Sequence, residues 1–210
     1  MTASLLSALA IGFLLGMRHA TDGDHVVAVS AIASGEKSIA RAMRVGAAWG
    51  LGHSATLFLV GGGIVLFGLT VPPRLGLAFE MLVAVMLIGL GGWTLSGRQI
   101  GHSHSFKRPI AVGFVHGLAG SAFVALLVLA AIPGWVAQLA YLALFGLGTV
   151  GGMALITAGI AVPVSRAKGN VQRGIRIAAG VASIAFGLIL AHKVGVIDGL
   201  FAATPHWDPK

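Results

Sequence analysis

Two histidines, two aspartates and an arginine interrupt a run of residues that is otherwise apolar from about position 3 to position 33. They fall between Arg18 and His25, in the sequence Arg-His-Ala-Thr-Asp-Gly-Asp-His. A charged side chain at the centre of a bilayer costs about 2.5–3.5 kcal/mol, so Arg18, Asp22 and Asp24 facing lipid would together cost about 8–10 kcal/mol. A partner side chain, a water-filled cavity or a bound cation must compensate these charges.

The composition and the hydrophobic pattern predict a membrane protein with six helices. Apolar residues make up 57% of the chain and charged residues 10%, whereas soluble domains carry about 25% charged residues. About 20 consecutive apolar residues span the hydrocarbon core. Six stretches meet this requirement: residues 3–33, 43–69, 75–97, 109–132, 135–163 and 174–195. We therefore expect an all-α, polytopic membrane protein with a single transmembrane domain over residues 1–210.

Basic residues concentrate in alternate loops and so predict the orientation of the chain. Lysine and arginine cluster around residues 34–42, 98–108 and 164–173, and the two other connections carry Arg74 alone. Positively charged loops stay in the cytoplasm, so we expect a multi-pass protein of the cytoplasmic membrane with both termini outside. The net charge of +8 lies mostly in these loops, which indicates orientation in the lipid bilayer and no nucleic-acid partner. No basic segment precedes the first apolar run, so we interpret that run as a retained helix.

The two halves of the chain resemble each other at an offset of 96 to 98 residues. His19 matches His116, the Gly-Leu-Gly at residues 50–52 matches residues 146–148, and Val83 matches Val181. Each repeat, about 3–97 and 109–200, holds three predicted spans. Because three is odd, the second repeat must cross the membrane in the opposite sense. This predicts two inverted repeats with a site near the middle of the membrane, as in many secondary transporters.

Histidines and carboxylates near the centres of the predicted spans are candidate metal ligands. Imidazole suits Ni, Co, Zn and Cu, whereas Mg and Ca prefer sites made of oxygen alone. The proposed ligands of a divalent transition-metal ion are His19, Asp22, Asp24, His25, His53 and His116.

A straight helix cannot direct the first four of these side chains at one ion. At about 100° per residue, His19 and Asp22 share a face, but Asp24 and His25 point well away from it. Glycine permits a kink or an unwound turn, so we expect the first helix to be broken near Gly23, around residues 21–24. The structural alternative is an Arg18–Asp22 ion pair with histidines hydrogen-bonded to carbonyl groups.

Other polar or aromatic residues have weaker assignments. His102 and His104 lie in the 98–108 loop, which we place in the cytoplasm, and form either a transient metal-capture pair or a solvated loop. Glu80 lies near the outer end of the third span, either as an interfacial carboxylate or as an attractor of cations. The tryptophans fit the membrane interfaces, with room for the first to lie deeper: Trp49, Trp93, Trp135 and Trp207.

The chain lacks the motifs of common enzyme classes. It has no cysteine, which excludes thiolate metal sites and thiol redox chemistry. It also lacks the phosphate-binding loop pattern and the His-Glu-x-x-His pattern of zinc proteases. We therefore expect no enzymatic activity and no permanent cofactor.

Two motifs resemble the nickel/cobalt transporter family. Residues 19–25 fit its His-x4-Asp-His signature, and Leu-Gly-His-Ser-Ala-Thr at residues 51–56 is similar to the motif of its next helix. The resemblance implies a transporter for Ni²⁺ or Co²⁺, with His19, Asp24 and His25 in metal recognition and His53 close by. Larger members have eight spans and acidic motifs in the second half. This chain has six predicted spans and no acid at residues 115–122 or 152–157, which resembles the short branch of urease-accessory-type or high-affinity nickel permeases.

The leading hypothesis is a secondary transporter or facilitator that takes up Ni²⁺, or Co²⁺, as its substrate. Three alternatives stay open: an exporter of the same metals, a membrane accessory protein that hands metal to an enzyme, and a haem-binding redox protein. The sequence does not define the oligomeric state or a cytosolic metal acceptor.

Overall fold

The computed structural model describes residues 2–97, 106–118, 128–129 and 131–207. Over these ranges all regular secondary structure is helical, with seven α-helices of at least ten residues and one π-helical turn, Lys193–Ile197. The α-helices are α1 (Thr2–His19), α2 (Gly23–Ala33), α3 (Ile39–Phe67), α4 (Pro73–Leu95), α5 (Lys107–His116), α6 (Trp135–Arg166) and α7 (Gly169–His192). An all-helical chain satisfies its backbone hydrogen bonds internally, as a lipid environment requires.

Four of the described segments are long and apolar enough to cross a membrane. They are α3, α4, α6 and the segment Gly169–Ile197, which joins α7 to the π-helical turn. Two shorter apolar helices, Leu5–His19 and Gly23–Ala33, replace the single first span expected from the sequence. The helical membrane class is therefore confirmed. The length of the fourth span stays a prediction, because residues 119–127 lie outside the described ranges.

The first span is broken, as expected, but the glycine has a different role. The chain leaves α1 after His19, turns through residues 20–22 and resumes as α2 at Gly23. Asp22 makes the turn with an extended backbone (φ −61°, ψ 146°), and the hydroxyl of Thr21 donates to the carbonyl of Arg18 (2.6 Å). Gly23 is already helical. A Cβ there would lie 3.3 Å from the ring of Phe186, so glycine serves close packing at this position and not the break.

Glycines allow the first helix of each half to pack closely on a helix of the other half. A Cβ at Gly16 in α1 would overlap the carbonyl of Phe145 in α6. In the same way, a Cβ at Gly113 in α5 would overlap the carbonyl of Trp49 in α3. In both pairs the two helices run in the same direction. This backbone proximity is typical of helix association in lipid.

The third pair of helices, α4 and α7, packs in antiparallel orientation. The positions of Gly91 and Gly187 face the carbonyls of Gly180 and Ala84, respectively. Between these contacts the hydroxyl of Ser183 donates to the carbonyl of Leu87 (2.7 Å). Helices α3 and α6 are also antiparallel, and the hydroxyl of Ser54 donates to the carbonyl of Gly146 (3.1 Å). The bundle therefore depends on small residues at its helix crossings.

Two glycines on α6 provide a matched test of this packing. A Cβ at Gly148 would overlap the carbonyl of Phe13, whereas a Cβ at Gly151 would meet nothing within 4 Å. We expect Gly148→Ala to destabilise the protein by about 1–3 kcal/mol through overpacking. Gly151→Ala should be neutral or slightly stabilising, because alanine favours helix. Thermal unfolding in detergent measures both variants, and equal midpoints for the two would contradict the α1–α6 contact.

Candidate metal centre

Four histidines from four helices meet in the interior of the bundle. His53 lies at the midpoint of α3, and His116 is the last residue of α5. The turn at residues 20–22 lets the ends of α1 and α2 bring His19 and His25 together, with ring centroids 4.5 Å apart. His25, His53 and His116 are completely buried, and His19 is 6% exposed. The break therefore overcomes the divergence that a straight helix would impose.

One part of the cluster, here called the outer part because it includes the exposed Asp22, links Asp22, His19 and His53. The Nδ1–H of His19 donates to Oδ2 of Asp22 (2.9 Å), whose side chain is 42% exposed. The Nε2 atoms of His19 and His53 are 3.0 Å apart. When Nδ1 of His19 carries the proton, Nε2 of His19 carries a lone pair and accepts a hydrogen bond from Nε2–H of His53. Within the described residues no ion pair joins Arg18 to Asp22, so the structural alternative in that form is not observed.

The inner part of the cluster centres on Asp24, which bridges two helices. Its Oδ1 accepts from Nδ1 of His25 (3.1 Å), and its Oδ2 accepts from Nε2 of His116 (3.0 Å). The backbone N–H of His25 also donates to Oδ1 (3.0 Å). Hydrogen bonds to a charged acceptor are stronger than neutral ones. Asp24 therefore holds the start of α2 against the end of α5.

Three imidazole nitrogens in this cluster are buried without a hydrogen-bond partner: Nε2 of His25, Nδ1 of His53 and Nδ1 of His116. Each belongs to a ring whose other nitrogen is engaged, so in neutral imidazole each is a lone pair. An unpaired buried polar atom carries a desolvation cost. A lone pair on nitrogen is also the form of histidine that binds a metal ion. The cluster thus presents nitrogen lone pairs that are available to ligate a cation. These nitrogens and the Asp24 carboxylate are called metal-donor atoms below.

The donors form two sets that share His25. One set is His19, His25 and His53, and the other is Asp24, His25 and His116; in each set the ligand atoms lie within 4.8 Å of one another. Together with Asp22 on His19, these are the six residues that the sequence predicted as metal ligands. The structure brings them together, and their binding of metal stays a prediction. His102 and His104 lie outside the described residues.

Trp49 belongs to this centre, although its residue type favoured a membrane interface. It is 1% exposed, and its ring lies 5.5 Å from those of His25 and His116. Its indole N–H has no partner among the described residues. The sequence did contain a signal, because Trp49 precedes His53 by four positions and shares its helix face.

Asp22 and Asp24 provide a matched pair for testing the centre. We expect Asp24→Asn to weaken Ni²⁺ binding at least about ten-fold, since it removes the largely buried charge between His25 and His116. Asp22→Asn should have a smaller effect, because Asp22 is exposed and contacts His19 alone among the four histidines. Isothermal titration of purified protein measures both affinities. An equal loss in the two variants would contradict the assignment of Asp24 to the inner set.

Comparison with known proteins shows similarity over nearly the whole chain. The chain is 33% identical over 218 aligned residues to the urease accessory protein UreH of Bacillus sp. (strain TB-90), which covers 94% of this chain and 96% of the relative. No family model matches the chain. No solved structure matches it either.

Proposed function

The chain belongs to the urease-accessory-type branch of the nickel/cobalt transporter family, as UreH does, and on that premise we propose that it carries Ni²⁺ across the cytoplasmic membrane. Proteins of this family are transporters or accessory proteins, so the chain is not an enzyme. The observation that carries the proposal is the cluster of four buried imidazoles and Asp24, with three nitrogens unpaired inside an apolar bundle.

The chemistry of the donor set favours a transition metal over Mg²⁺ or Ca²⁺. Imidazole nitrogens suit Ni²⁺, Co²⁺, Zn²⁺ and Cu²⁺, whereas Mg²⁺ and Ca²⁺ prefer oxygen ligands alone. The family to which the chain belongs favours nickel among these metals. Tetragonal coordination by nitrogen and oxygen is typical of Ni²⁺ and Cu²⁺. Co²⁺ is the second substrate that we propose, on the basis of the family.

The two donor sets suggest a path for the ion. Exposed Asp22 attracts the cation, which binds first to the set formed by His19, His25 and His53. His25 then passes the ion to Asp24 and His116, because it belongs to both sets. An inside-negative potential favours entry of a divalent cation by about 4–5 kcal/mol per 100 mV. Uptake therefore needs no hydrolysis of nucleotide.

Repeated contacts support an architecture of two inverted repeats. The contact of Gly16 with Phe145 recurs as the contact of Gly113 with Trp49. Gly113 lies 97 positions after Gly16, and Trp49 lies 96 positions before Phe145. The contact of Gly148 with Phe13 recurs in the same way as Gly52 with Ile110. In α4 and α7, Gly91 faces Gly180 and Gly187 faces Ala84, so equivalent residues of the two helices are 96 positions apart. The sequence match of Val83 with Val181 had instead given an offset of 98. Alternating access by rocking of two such halves is typical of secondary transporters.

The basic ends of the helices support the proposed orientation. Helix α3 is antiparallel to α6 and parallel to α5, so the start of α3 lies at the same end of the bundle as the end of α6 and the start of α5. Arg41, Arg166 and Lys107 mark these three ends. A single basic face is the pattern expected for the cytoplasmic side, which would place both termini outside.

A second candidate function follows from the relative's name. UreH is described as a urease accessory protein, which favours a role in which metal is delivered for an enzyme's maturation. Transport and delivery differ in one measurable respect. Purified protein in liposomes would carry Ni²⁺ across the bilayer if it is a transporter, and would only bind Ni²⁺ if it is an accessory without transport activity.

Accumulation of ⁶³Ni by cells tests the proposal. Cells expressing the wild type should accumulate more label than vector controls. His19→Ala and Asp24→Ala should reduce the excess at least about ten-fold, because they remove a ligand of each donor set. His192→Ala, at an exposed end of α7, is the matched control and should transport normally. Equal accumulation by wild type, His19→Ala and Asp24→Ala would refute the site, and lower accumulation than in vector cells would indicate export.

A further inference from the structure

The C-terminal segment of residues 198–207, here called the strap, lies across the start of α4. Two carbonyls of the strap, those of Ala202 and Ala203, accept from the guanidinium of Arg74 (3.0 and 3.2 Å). Within the strap the backbone N–H of His206 donates to the carbonyl of Asp198 (2.9 Å). The Asp198 carboxylate also pairs with Lys193 (2.6 Å). The strap is therefore fixed at both its start and its middle.

Trp207 joins the strap to a carboxylate inside the bundle. Its indole N–H donates to Oε1 of Glu80 (2.8 Å). The indole ring lies directly on Gly76, one turn before Glu80, at a distance that leaves no room for a Cβ. Both contacts depend on the position of one side chain, so displacement of Trp207 would uncover Glu80.

Packing contacts connect Glu80 to the metal centre. Glu80 is half-buried on α4 and lies one turn before Ala84, whose carbonyl faces Gly187 on α7. The ring of Phe186, next to Gly187, lies against Gly23 at the start of α2, and the following residue, Asp24, is the carboxylate of the inner donor set. Glu80 is thus a carboxylate between the strap and the centre, and its Oε1 is engaged by the indole.

We propose that Glu80 is a way-station for the transported cation and that the strap, through Trp207, is a gate over it. A cation bound by the Glu80 carboxylate draws electron density from Oε1 and places a positive charge beside the indole N–H, so we expect it to weaken this hydrogen bond and release Trp207. The strap then opens when metal is present and closes when it is absent. This inference rests on the proposed function, because the cation that opens the gate is the substrate of the metal centre.

Hydrogen exchange in purified, detergent-solubilised protein tests the gate without any transport. The amides of Leu200, Ala202 and His206 are hydrogen-bonded in the closed strap and should exchange faster when it opens. We expect saturating Ni²⁺ to accelerate exchange in the strap of the wild type. In Glu80→Gln, Ni²⁺ should have no such effect. Unchanged exchange in the wild type, or an equal response in Glu80→Gln, would overturn the gate.

Substitution of two glycines on α4 tests the strap without replacing Trp207 or Glu80. Gly76→Ala should displace the indole and accelerate exchange in the absence of metal. Gly89→Ala is the matched control, since a Cβ there meets nothing within 4 Å. Strap exchange in Gly76→Ala no faster than in Gly89→Ala would show that the indole does not hold the strap.

Uptake kinetics test the role of Glu80 in transport. Trp207→Phe keeps the ring but removes the donor, so the half-saturating Ni²⁺ concentration should fall several-fold. Glu80→Gln should raise it several-fold, and the double variant should match Glu80→Gln, because Trp207 acts through Glu80. Trp135→Phe, at an exposed helix start, controls for the loss of an interfacial tryptophan.

The outcomes separate this inference from the proposed function. Kinetics of Glu80→Gln equal to wild type, or an effect of Trp207→Phe that persists in the double variant, would refute the gate while transport itself stands. Absence of ⁶³Ni accumulation by the wild type would instead refute the proposed function. In that case the exchange response to Ni²⁺ still decides whether a cation at Glu80 moves the strap.

Discussion

The bridge from Asp24 to His25 and His116 is the interaction on which the rest of the bundle depends. A lone carboxylate in the membrane interior is expensive, and here each of its oxygens accepts an imidazole N–H. The two imidazoles come from α2 and α5. Helix α1 must therefore end at His19 so that α2 can approach α5, and Gly113 must let α5 approach α3 closely enough to align His116 with His53.

The sequence predicted the members of the centre because the energetic argument is local. Charges inside an apolar run require compensation wherever the run folds, and helical periodicity alone shows that His19, Asp24 and His25 cannot converge on a straight helix. The break near Gly23 followed from that conflict. The glycine itself was interpreted wrongly, because its contact with Phe186 comes from α7, some 160 residues later in the chain.

What the sequence did not predict is the pairing of side chains across helices. Nothing local distinguishes a contact of Asp24 with His116 from one with His53, since both histidines lie near the centres of apolar spans predicted from the sequence. The depth of Trp49 depends on the packing of α3 against α5, which its residue type does not encode. The hydrogen bond from Trp207 to Glu80 joins the C-terminal segment to α4 in the first half of the chain, so the sequence around either residue could not predict it.

The charge of the centre sets how tightly it can hold a cation. Among the described residues of the inner set, Asp24 supplies the one carboxylate, and a divalent ion there would keep a net positive charge. A carrier must bind its substrate strongly enough to strip water yet weakly enough to release it. Neutral imidazoles provide the first property, because they replace water without adding charge. The residue 96 positions after His53 is Thr149, whose hydroxyl donates to its own helix at Phe145, so within the described residues this position adds no ligand. A centre with one largely buried charge is therefore suited to passing an ion through the membrane, whereas a second carboxylate would favour retaining it.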